Sequence, residues 1–401
     1  GWGKKLSSNS NGGQPNANTG TLTNFNIDGF CLGHDTEVNH SGDGEYVGWT
    51  FKKEKKFMDI QTWTGTDNTQ VISHDLGSVP GCILVKAYSQ AGKSWKVYHR
   101  GLNNGSSPED YNLELNSSDN IGSASAQPWD NTAPTATGFT VSGASSQVNG
   151  NGISYVAYIF AHDAGGFGAN GDQSIIKCGN YTGDGTSDGS KFIDMGFEPG
   201  WFMVKCASGS TQEWMMFDDM RGLIKGEAPQ LMANETNAEA GATSFNVRST
   251  GIEIWNSNAA FNGSNNQYIY IAIAKGTGKN MRTPSSGHNV LTLTDFHGGV
   301  PATYTDTAPY SRAHFPVDFS FYKNTVNGAG DWDLFSRLQG KKHLRINATD
   351  SETTANAALF DYSDGWGTWD GGTNHFVVNF KRYAGLDLVT YTGNGVTGRT
   401  V

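Results

Sequence analysis

Carboxylate pairs, histidine clusters and activated hydroxyls are the residues through which this chain could do chemistry. Glycoside hydrolysis needs two carboxyl groups facing each other across the scissile bond. Asp218, Asp219 and Glu253 offer carboxylates, but a second stretch of similar sequence carries His99 and Arg100 where the first has Asp218 and Asp219. A pair that changes from copy to copy is not the chemistry of a repeated unit. His74, His99, His162, His288, His297, His314, His343 and His375 are scattered. His297 and His314 lack a third ligand at regular metal-site spacing, so these histidines read as surface or capping residues. Asp184 and Asp188 resemble the start of a calcium loop, yet the twelfth position, where an EF-hand places Glu, is Met195. A turn held by Asp side chains is the better reading. No cofactor is expected, with calcium at a loop end the one exception left open. No G-x-S-x-G stands in a convincing strand-to-helix context, and neither GxxxxGK[ST] nor HExxH occurs. The chain is therefore expected to be non-enzymatic. The best contact candidate is Asp364-Gly365-Trp366-Gly367-Thr368-Trp369-Asp370-Gly371-Gly372. Trp366 and Trp369 on a Gly-rich loop, flanked by Asp364 and Asp370, have the area and rigidity to stack on a sugar ring or a partner protein. The competing reading is a Trp folded back over its own domain.

The composition limits what can position such residues. Among 401 residues there are 53 Gly, 11 Trp and 15 Tyr, while charged residues make up only 16%. A disordered chain is charged and poor in aromatics, so this one should bury real cores. Turn formers with aromatic and β-branched residues suit short strands, and no window holds a long apolar period of 3.6. The net charge of −10 argues against a nucleic-acid partner. The one dense basic run, Lys52, Lys53, Lys55 and Lys56, reads as a solvated strand end. No apolar run approaches the length of a membrane span. Cys31, Cys82, Cys178 and Cys206 form no CxxC pair and are expected to be free, buried thiols.

Internal repeats organise the chain. One copy begins at Trp63-Thr64-Gly65, passes Val79-Pro80-Gly81 and Ile83-Leu84-Val85-Lys86, and reaches Trp95 and Tyr98. The next begins at Tyr181-Thr182-Gly183 and passes Pro199-Gly200 and Phe202-Met203-Val204-Lys205 to Trp214 and Phe217, at an offset of 118–119 residues. Their endings match too: Asn149 then Tyr155 to Ala161, and Asn262 then Tyr268 to Ala274. A similar ending, Asn39 then Tyr46 to Phe51, stands near the N-terminus. A divergent third copy shows Phe319 to Lys323, Trp332, Phe335 and Phe376 to Phe380. The expected units are 1–59, the second half of a repeat; 60–165 and 175–280, two full repeats; 286–384, the divergent repeat; and 386–401, the start of another. On this reading the parent protein is longer.

Each unit should fold as an all-β, antiparallel β-sandwich, with a jelly roll of the concanavalin/laminin-G kind the natural candidate. The apolar runs bounded by Pro-Gly read as buried strands. The pairs Trp95/Tyr98, Trp214/Phe217 and Trp332/Phe335 recur in every copy and read as shared core. A propeller blade is less than half this length.

The phrase that joins YTG(N/D)G, GF-x-P-G, VK and W-x-x-(Y/F) to VN-x-x-G-x-x-YVAY-x-FA resembles tandem-repeat structural and tail-fibre proteins of marine phages, including cyanophages. The resemblance covers most of 25–280 and returns at 317–395. It implies laminin-G/concanavalin-like sandwiches in a virion fibre or appendage that carries many copies and contacts other virion proteins and host-surface glycans. It supplies no catalytic residues. A secreted bacterial lectin or adhesin, and the carbohydrate-binding part of a glycan-degrading enzyme, are the alternatives.

Overall fold

The fold was analysed in a computed structural model. It describes residues 4–15, 20–26, 29–40, 46–168, 170–219, 221–223, 225–275, 291–297, 310–313, 317–324, 331–340, 342–354, 360, 365–367, 374–381, 386 and 388–389. Among these there is no α-helix, and every strand pair is antiparallel. The chain is all-β, as expected, and its repeats are β-sandwiches.

The N-terminal segment holds a hairpin, β1 (Leu22–Phe25) with β2 (Phe30–Leu32). Repeat 1 contains β3 (Met58–Thr64), β4 (Gln70–Ser73), β5 (Pro80–Ala87), β6 (Lys96–His99), β7 (Leu113–Glu114), β8 (Gly138–Val141) and β9 (Ser154–Ala161). Repeat 2 contains β10 (Ile176–Thr182), β11 (Lys191–Asp194), β12 (Pro199–Ser208), β13 (Met215–Asp218), β14 (Lys225–Met232), β15 (Ala240–Arg248), β16 (Gly251–Ile254) and β17 (Gln267–Ala274). Repeat 3 contains β18 (Leu291–His297), β19 (Tyr310–Arg312), β20 (Phe319–Asn324), β21 (Trp332–Ser336), β22 (Lys342–Arg345), β23 (Thr353–Thr354), β24 (Gly365–Gly367) and β25 (Asn374–Phe380).

The repeated sequence produces a repeated topology. In each unit the opening strand pairs with the closing strand, which pairs in turn with the strand after the Pro-Gly landmark or its counterpart. The orders are β3-β9-β5-β6-β7, β10-β17-β12-β13-β14-β15-β16-β11 and β18-β25-β20-β21-β22-β23. In repeat 1 the second layer is the pair β4–β8. Trp63 of β3 meets Phe139 of β8 edge-on across the sandwich, with ring centroids 5.8 Å apart.

The fixed landmarks have physical reasons. Gly65 and Gly183 follow the opening strands at equivalent positions. A Cβ on either would lie 2.2 Å from a backbone carbonyl, that of Gly150 or Gly263. Backbone cannot swing aside as a side chain can, so only Gly fits. The carboxamide of buried Asn149 accepts from Thr66 N–H and Gln70 and donates to Asn68 O. Asn262 does the same work with Asp184 and Thr186. Asp184 and Asp188 accept from Thr186 and Ser190, which are turn bonds made by Asp side chains.

The main sheet of repeat 2 is buried on both faces. Strand side chains alternate between faces. On β12, Phe202, Val204 and Cys206 enter the core of repeat 2. Met203 and Ala207 join the core of repeat 1, together with Ile269 and Ile271 of β17 and with Trp214. Repeat 1 is thus the outer layer of repeat 2.

Two expectations need correction. Cys82, Cys178 and Cys206 are free and buried, but Cys31 is exposed. His74, His99 and His343 are buried and not on the surface, while His74 and His99 do cap turns, each accepting a backbone N–H two residues on and facing a backbone carbonyl. In the N-terminal segment, Tyr46 to Phe51, the counterpart in sequence of the closing strands, joins no sheet. Trp49 and Phe51 pack instead on Trp201 of repeat 2, with centroids 6.1 and 5.7 Å away.

Candidate functional site

The contact loop read from the sequence divides. Asp364, Trp369 and Asp370 lie outside the described residues. Trp366 is fully buried. Its ring stacks on Phe360 at 5.2 Å, and its indole N–H donates to Asn379 Oδ1 at 2.8 Å. A ring covered in this way cannot stack on a ligand, so Trp366 is a core residue of repeat 3. The carboxylates considered for hydrolysis are engaged by cations. Asp218 holds Arg221 at 2.7 Å and Glu253 holds Arg248 at 2.6 Å. Among the described residues no cluster of three His, Cys, Asp or Glu is arranged to hold a metal.

The repeats themselves build a site, and they build it twice. In repeat 2, Lys205 and Trp214 reach across to repeat 1. The Trp214 indole donates to Glu114 O at 3.0 Å, and the Lys205 ammonium donates to Ser118 O at 2.7 Å and to Gln212 O. The segment then joins the sheet, with Ile121 N–H donating to Ala207 O at 2.9 Å. Repeat 1 repeats the arrangement on the N-terminal segment. Trp95 donates to Ser7 O at 3.0 Å, Lys86 donates to Ser10 O at 3.3 Å and to Lys93 O, and Gln14 N–H donates to Tyr88 O at 2.8 Å. Repeats 1 and 2 therefore each clamp a segment of the unit before them, bent by a turn, through two carbonyls and one N–H. The clamp is preorganised. The backbone N–H of each Trp is held by an Asn carboxamide, Asn116 for Trp95 at 2.7 Å and Asn234 for Trp214 at 2.9 Å.

The clamp lysines are unusual because both are fully buried. Desolvation pulls each side-chain pKa down to about 8. At neutral pH the ammonium still carries its proton, and charge-assisted bonds to carbonyls offset part of its desolvation. Each of these strand lysines is thus a buried donor aimed at the neighbouring unit. The sequence signal was the fixed interval from Lys86 to Trp95, which recurs from Lys205 to Trp214 and from Lys323 to Trp332.

A second contact closes the opposite edge of the junction. His99 is fully buried, and its Nε2 lies 3.0 Å from Tyr270 O. Its Nδ1 accepts from Gly101 N–H at 3.0 Å. The accepting Nδ1 places the single proton on Nε2, which donates to the carbonyl, so the ring is neutral. Burial pulls its pKa down to about 3, against the opposing pull of the Tyr270 carbonyl. Beside it side chains press on the bare backbone of a glycine. A Cβ on Gly81 would lie 2.6 Å from His162 Cβ and 2.7 Å from Cys178 Cβ.

A family model described as a domain of unknown function, DUF7483, matches residues 1–276. The chain belongs to the DUF7483 family. The matched region takes in the N-terminal segment, both clamps and the His99 contact, so the DUF7483 match spans two sandwiches and not one. No curated protein and no solved structure matches the chain.

Proposed function

We propose that this DUF7483 protein is a non-enzymatic structural component of a phage virion, a fibre or appendage whose tandem sandwiches, of the concanavalin/laminin-G jelly-roll kind, space and present a host-contact surface. The observation that carries this reading is the doubled clamp. Tandem domains on flexible linkers make small, polar contacts and move independently. Here Trp214, Lys205 and His99 fix repeat 2 on repeat 1 through one continuous apolar core. Such stiffness serves a spacer that holds a surface at a distance. The repeated phrase that resembles marine phage fibre proteins points the same way. Other virion proteins are its partners, and many displayed copies let weak contacts to host-surface glycans add up.

Mass spectrometry of density-purified particles tests the proposal. Peptides of this chain should band with capsid proteins. Recovery only from the particle-free fraction would overturn the virion reading and leave the secreted adhesin.

A further inference from the structure

Repeat 1 carries a polar triad where repeat 2 carries core residues. Lys96 of β6 stands opposite Glu114 of β7, and at the corresponding place in repeat 2 Met215 stands opposite Met232. Met215 belongs to the core of repeat 2, and Met232 packs against it. Repeat 3 has Asp333 opposite Arg345 there. The sandwich therefore does not need an amine and a carboxylate at this place. A part-buried ion pair often stabilises no better than well-packed apolar residues do.

The third member of the triad is Asn112, two residues before Glu114 and so on the same face of the chain. Lys96 Nζ lies 2.5 Å from Glu114 Oε1 and 3.3 Å from Asn112 Oδ1. Asn112 Nδ2 turns the other way, towards Gln127 O at 3.5 Å. The Lys96 side chain is only 14% exposed, so strand pairing and packing hold it on these two partners. One side chain offers a nucleophile, one an electrophilic carbon, and one a base within hydrogen-bond reach of the nucleophile.

We propose that Lys96 and Asn112 join in a covalent side-chain amide, formed once by the folded chain with Glu114 as the proton carrier. Glu114 takes a proton from the Lys96 ammonium, and the freed amine attacks Asn112 Cγ. The Nζ–Cγ bond forms and the Cγ–Nδ2 bond breaks. Nζ gives up two protons in all, and Glu114 passes both to Nδ2, which departs as ammonium. Glu114 ends as the carboxylate it began as, and nothing is oxidised or reduced. A single turnover on the chain itself leaves the non-enzymatic reading untouched.

The bond would sit where the clamp pulls. β6 and β7 pair at Lys96–Glu114 and Val97–Leu113, a short ladder. Glu114 O and Ser118 O, just beyond it, are the carbonyls that Trp214 and Lys205 take. A link from Asn112 to β6 would carry load from repeat 2 into the sheet of repeat 1 through a covalent bond.

The intact mass of the purified full chain, with tandem mass spectrometry of its digest, tests this. Wild type should be lighter than its sequence mass by one ammonia, and a branched peptide should join residues 96 and 112. Glu114→Gln keeps a polar contact to Lys96 but cannot carry the protons, so it should have full mass. Lys96→Met places there the residue type that repeat 2 uses, so the sandwich should fold and also keep full mass. Wild type at full mass, an ammonia lost with no branch between these two residues, or Glu114→Gln that links as completely as wild type would overturn the proposal.

Discussion

Trp214→Ala should release repeat 2 from repeat 1. The ring is almost wholly buried, and it packs in a core contributed by both repeats. Truncating a buried Trp costs about 3–5 kcal/mol in lost burial and residual cavity. The substitution also takes the indole donor from the Glu114 carbonyl, which keeps the Ser117 N–H at 3.2 Å. One lost hydrogen bond adds roughly 0.5–1.5 kcal/mol. Together these are a large part of the ~5–15 kcal/mol that holds a typical domain folded. Trp214→Phe keeps most of the apolar contact and loses only the N–H, so it should cost roughly the second share alone. Calorimetry separates the outcomes. Trp214→Ala should split or markedly lower the unfolding transition of repeats 1 and 2, with Phe between it and wild type. A shift worth less than ~1 kcal/mol for Ala would mean that the ring does not join the repeats.

The second large effect is acid loosening of the same junction through His99. Its folded pKa is depressed to about 3, against an ordinary value of ~6.5 in the unfolded chain. Between those limits the unfolded chain binds a proton that the folded chain refuses. Stability is therefore complete above the unfolded value and is lost as the pH falls, at about 1.4 kcal/mol per unit. The full window is worth roughly 4–5 kcal/mol. His162, depressed to about 4 by burial and then by neighbouring Arg100, titrates in the same direction. His99→Gln keeps a donor for Tyr270 O and an acceptor for Gly101 N–H without a titrating group. The wild-type unfolding temperature should fall more steeply than the variant's between pH 6 and pH 4, values chosen inside that window. Equal slopes would contradict the assignment.

Much of this architecture was legible in the sequence because the repeats carry their own alignment. Gly65 and Gly183 recur because a carbonyl leaves no room for a Cβ, and Asn149 and Asn262 recur because each ties the turn after the opening strand to the segment before the closing strand. Trp95 and Trp214 were readable as shared core. What the sequence did not disclose is whose core they complete. Burial in one's own sandwich and burial against the previous one leave the same pattern of apolar residues. Lys86 and Lys205 were hidden for a related reason: Lys inside a strand ordinarily lies on a wet face, and only the docking of a neighbour makes that face dry. His99 likewise reads as one scattered histidine until Tyr270 is brought against it. Trp366 misled in the opposite direction. Flanking glycines suggested an open loop, yet β24 carries the ring inward onto Asn379.

Native-state hydrogen exchange at the Ile121 amide tests the central claim most directly. That N–H belongs to repeat 1, yet its acceptor is Ala207 O of repeat 2. If repeat 2 clamps repeat 1, Ile121 should be protected like the strand amides of β12. Lys205→Ala should abolish that protection while β12 keeps its own. An Ile121 amide that exchanges as fast as an exposed loop in the wild-type chain would contradict the clamp.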